Sequence, residues 1–251
     1  MGLFSGKKEE PKPIVNEQVI KKEEPKSLDV IKTPTKNVSV IKEKFNVKAT
    51  IEGEGSLIVG GILDGDVKID DTLFIEKGAR VTGIVHAKNV KISGDFEGTV
   101  YAYTIEITKS GRLKGVISSN KAILGGYVNG VIRSIDSIEI TATGIIDTKE
   151  CKSKQIKVVG SVDGRVIASE LLEVTSGGSI KGDIITKGIR TEQGGSIIGN
   201  IQTYDAAVHE EDENEVTDSN IENLIDIKDI KKYAKKEDSN TQSSPKEDSS
   251  S

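Results

Sequence analysis

Only three side chains in this 251-residue chain carry an imidazole or a thiol: His86, His209 and Cys151. A three-histidine metal site is therefore impossible, and His86, alone in a strand-like stretch, reads as a surface residue. Cys151 stands in Lys149-Glu-Cys-Lys-Ser-Lys, with no histidine near it in sequence to take the thiol proton. Its spacing puts it near a corner of the fold, where Ser118 sits in an earlier segment, as a small structural residue. The pair Asp70-Asp71 reads as turn residues at a strand end. Neither G-x-x-x-x-G-K-[ST] nor G-x-G-x-x-G occurs, so the chain offers no phosphate cradle. The expectation is a protein that is not an enzyme, with no catalytic, metal or cofactor residues.

What the chain repeats is structural. A branched apolar residue, a polar one and a glycine recur at Gly65, Gly83, Gly98, Gly115, Gly130, Gly164, Gly182 and Gly199, with Thr148 in the glycine's place once. Steps of 15 to 18 residues leave no room for a helix pair, so each unit is one coil of short strands. Apolar and polar residues alternate within each unit, as in Val90-Lys-Ile, Ile105-Glu-Ile and Ile138-Glu-Ile, the period of a strand with one buried face. A small residue recurs four places after most of the phrase-ending glycines: Ala87, Ala102, Ser119, Ser134, Ala168 and Thr186. Longer and shorter units alternate, so pairs repeat from Gly65 to Gly98 to Gly130 to Gly164, which reads as duplication of a two-coil element. Three strands and three corners per unit predict an all-β solenoid of about nine coils and roughly triangular section.

Composition agrees. Aromatic residues make up 4% of the chain and Trp is absent, too few for an ordinary core of this length but enough for a narrow one filled with Ile, Val and Leu. The glycines cluster between Gly53 and Gly199, and all five prolines lie outside that span. The expected division is a disordered tail at 1–46, a β-helix at 47–205 and an acidic disordered tail at 206–251. A net charge of −5 argues against nucleic acid as a partner. One cysteine, no signal-peptide core and no long apolar run argue for the cytoplasm.

Residues 47–205 resemble the bactofilins, bacterial cytoskeletal proteins. The likeness is carried by Ile51-Glu-Gly53, by Leu63-Asp-Gly65-Asp-Val67, and by Glu76-Lys-Gly78-Ala79-Arg-Val-Thr-Gly83. It implies a right-handed single-stranded β-helix that polymerises end to end without nucleotide. Where the family commonly carries a Phe in its last coils, this chain has Gly194-Gly-Ser-Ile197-Ile-Gly199. The terminal-coil residues expected at the end contact are Ile51, Leu57, Ile58, Ile189, Ile197 and Ile201. The resemblance also gives Leu3, Phe4, Lys7 and Lys8 a membrane-targeting role, placing the protein peripherally on the inner face of the cell membrane.

Two function classes follow. One is a self-assembling scaffold that binds itself, a membrane surface and further proteins through its tails. The other is a β-helix that does not polymerise, either a binding module or a degenerate acyltransferase-like protein. The ends of the rod discriminate them, because a monomer needs a cap over its unpaired edges. In the tails, Val-Ile-Lys recurs at Val19, Val30 and Val40 as candidate docking points, and Ile221, Leu224, Ile225, Lys228 and Ile230 allow a short amphipathic helix.

Overall fold

The structure is a computed structural model describing Ile31 and residues 37–205. The membrane-targeting start, the first Val-Ile-Lys, the acidic run and the candidate helix at 221–230 lie outside the described residues. All sixteen described strands are parallel members of one sheet wound into a solenoid of ten coils. At about 4.8 Å per coil the stack runs roughly 48 Å.

Each coil has three walls. In the first coil they are Val38–Ile41, Asn46–Lys48 and Ile51–Gly53; in the second, Ser56–Val59, Ile62–Asp64 and Val67–Ile69. From Arg80 to Val174 the strands of 13 or 14 residues each run unbroken around two corners, as in Asp95–Ile107 and Arg112–Leu124. Inward residues stack into columns: Val67, Val85, Val100, Ile117 and Ile132 line the third wall, and all are fully buried. Each such aliphatic side chain contributes about 1.5–3 kcal/mol on burial. The expected column of small residues is present, from Ala87 through Ala102 and Ser119 to Ser134, where the last two hydroxyls lie 2.7 Å apart.

The alternation of long and short units is located at one corner. The chain crosses from first to second wall through residues 76–79 in the third coil and through Ser93-Gly94 in the fourth, and this alternation of four and two residues holds until the tenth coil. Asp70 and Asp71 do sit at a strand end, where they accept hydrogen bonds from Gly55 N–H and the Ser56 hydroxyl of the coil before.

The phrase-ending glycines form a single column with φ between +128° and +147°. A Cβ at Gly115 would run into the carbonyl oxygen of Gly98. Thr148 meets the same constraint differently. One extra residue, Lys149, bulges out of register after it, and the Thr148 hydroxyl lies 2.8 Å from the carbonyl oxygens of both Gly130 and Glu150.

The glycine phrase counts nine coils and the structure has ten. The first, Val38–Gly53, has Ala49 at the corner where Gly65 stands in the second coil, so it carries no phrase glycine and begins ahead of residue 47. Cys151 also departs from expectation. Because of the bulge at Lys149 it pairs with Ile132 in an inward register and is completely buried, not at a corner beside Ser118. Burial, with Glu150 adding to it, pushes its thiol up to about 12. Cys151 should therefore resist a thiol reagent in mildly alkaline buffer and react fully on unfolding; rapid labelling of the native protein would show that the seventh coil opens.

Candidate functional site at the ends of the rod

A stack of parallel coils satisfies its backbone groups internally except at the two ends. Among the described residues no further strand pairs with the outermost ones, and the core columns end there in incompletely covered side chains.

At the C-terminal end, Ile189, Ile197 and Ile201 continue the columns of Leu172, Ile180 and Ile184. Those three inner residues are fully buried, whereas Ile189 is 44% exposed, Ile201 is 54% exposed and Ile197 is half-buried. The same wall chemistry thus changes from core to surface in one coil. Three expected residues are brought together here on one coil.

At the N-terminal end the equivalent residues are Ile41, Val47 and Ile51, in the registers of Val59, Leu63 and Val67. All three pack on the core and are incompletely covered. Phe45, in the turn between the first two walls of this coil, is 62% exposed. Ile51 was expected at this end; Ile41, Val47 and Phe45 were not. Leu57 and Ile58 were grouped with them but sit one coil further in. Leu57 is buried core, and Ile58 faces outward between Val40 and Phe74. The signal for Ile41 and Val47 was the strand-period pattern of Val38–Ile41 and Asn46–Lys48, obscured because Ala49 replaces the marker glycine.

The outer walls carry charge of alternating sign between neighbouring coils: Arg80 with Asp95 at 3.8 Å, Lys114 with Glu97 at 3.0 Å, and Arg190 with Glu173 at 3.7 Å. These pairs are largely exposed, so each contributes little to stability. His86 lies on the outer third wall and stacks on Tyr101, with ring centroids 4.8 Å apart. Burial, then the nearby Lys68 charge, lowers its pKa, while Asp66 opposes them. Among the described residues no three His, Cys, Asp or Glu side chains are grouped to hold a metal ion. No described helix is long and apolar enough to cross a membrane.

Comparison with family models matches residues 39–124 and 118–202 to a family described as "Bactofilin: Polymer-forming cytoskeletal". Each stretch spans about half of the stack. No curated protein and no solved structure matches the chain.

Proposed function

Since the chain belongs to the bactofilin family, a family of polymer-forming cytoskeletal proteins, we propose that it is a non-enzymatic scaffold that assembles end to end, without nucleotide, through its first and tenth coils. The observation that carries this reading is the core left open at the C-terminal end, where Ile189 and Ile201 stay exposed in registers that are fully buried one coil away, with Ile41, Val47 and Ile51 incompletely covered at the other end. Joining two ends buries those side chains and pairs the open backbone edges in one step.

The scaffold is held on the inner face of the cytoplasmic membrane by its first eight residues and recruits proteins through its tails. Leu3 and Phe4 each contribute up to about 1.5–3 kcal/mol on insertion, and Lys7 and Lys8 about 1 kcal/mol each near anionic lipid. One copy binds weakly. A filament presents many copies, so assembly and membrane binding reinforce each other.

The test is electron microscopy of the purified full chain in buffer without ATP or GTP, followed by sedimentation with anionic liposomes. Thin filaments are expected, which pellet with liposomes in the wild type and not when Leu3 and Phe4 are both changed to serine. Monodisperse monomer across salt and protein concentration would refute the assembly; pelleting of the serine variant would move the membrane contact onto the rod.

A further inference from the structure

On the outer side of the first wall one column reads Val40, Ile58, Phe74, Lys91, Glu106, Ile123 from the first coil to the sixth. Lys91 and Glu106 belong to neighbouring coils and form an ion pair at 2.9 Å. Their side chains are only 17% and 12% exposed, against 66% and 25% for Arg190 and Glu173 further along the same column. The cover over the first pair is identifiable. The Ile31 N–H donates to Glu106 Oε2 at 3.0 Å, and Lys91 Nζ donates to the Ile31 carbonyl at 3.2 Å. Ile31 itself is 9% exposed.

We propose that the Lys91–Glu106 pair, flanked by Phe74 and Ile123, is a peptide-docking site on the side of the rod, and that its occupant is Ile31, the central residue of a Val-Ile-Lys motif in the chain's own N-terminal segment. The chemistry fits an extended apolar residue. Both halves of the ion pair are engaged by one residue's backbone donor and acceptor, and such charge-assisted bonds are about twice as strong as neutral ones. Glu106 has one oxygen committed to Lys91; the other, in a residue 9% exposed, is satisfied by the Ile31 amide. Apolar neighbours on both sides of the pair suit the isoleucine side chain.

Two of the Val-Ile-Lys copies thus contribute described residues with different uses. Val40 and Ile41 form part of the first coil's wall, whereas Ile31 docks on the outside of the fourth and fifth.

Hydrogen exchange with mass-spectrometric readout on the full chain tests this. Amides around Ile31 should exchange roughly tenfold or more slowly in the wild type than in an Ile31→Asp variant, and the same protection should be lost in a Lys91→Met/Glu106→Leu double variant. The double substitution replaces a covered ion pair by apolar groups, so wall amides should keep their protection. Should the double variant loosen the wall, Ile31→Asp, which lies outside it, still decides. Equal exchange around Ile31 in wild type and Ile31→Asp overturns the docking site, as does protection that survives in a well-folded double variant.

Discussion

Changing Ile201 to arginine should abolish filaments while leaving the inner coils folded. Ile201 is already 54% exposed, so in the free subunit the guanidinium remains in water and the coil is little disturbed. In an end-to-end contact the same group would be buried without a partner, a penalty of about 3–5 kcal/mol. At about 1.4 kcal/mol per factor of ten, each junction weakens roughly a hundredfold to several thousandfold. Ile41→Arg should weaken the junction from the opposite end, with some cost to the first coil itself because Ile41 packs partly on the core. Leu57→Arg differs, because Leu57 is 3% exposed inside the second coil, and a charge there should disorder the N-terminal coils themselves. Circular dichroism and electron microscopy on each variant separate these effects. If Ile201→Arg and Ile41→Arg both still form wild-type filaments, assembly does not use the rod ends.

Gly115→Ala should destabilise the rod by about 3 kcal/mol or more, a loss usually reserved for a core cavity or a broken network. The backbone there has φ +140°, a region essentially restricted to glycine. The added methyl would also meet the Gly98 carbonyl of the previous coil, which cannot withdraw without breaking the wall. Gly53→Ala is the control. Its φ is not positive and a Cβ there would meet nothing within 4 Å, so the change should be nearly neutral. The shift of the denaturant midpoint for the two variants is the measurement; similar midpoints would mean that the glycine column is not sterically required.

Much of this architecture was legible because corners and walls leave different marks. The glycine phrase marked nine of the ten coils, and period-2 alternation marked which side chains face the core. The alternating corner between first and second walls was visible as alternating repeat length. Legibility failed where one residue changed the phase. Ala49 hid the first coil, and with it Ile41 and Val47; Lys149 shifted Cys151 from an expected corner into the core. The Val-Ile-Lys repeat marked Ile31 as a docking point for a partner, but nothing local in the sequence pointed to the chain's own wall as that partner. Its partners, Lys91 and Glu106, are brought together only by stacking of the fourth coil on the fifth, 60 and 75 residues along the chain.

Because every coil leans only on the one before and the one after, stability in such a stack is close to a sum over neighbouring interfaces, and the two terminal coils each lack one of them. Thermal unfolding would therefore begin as fraying from Val38–Ile41 and Ser196–Thr203 inward. In a filament nearly every fraying end becomes an interior coil, so the melting temperature would rise with protein concentration, and a subunit would be at its least robust when alone.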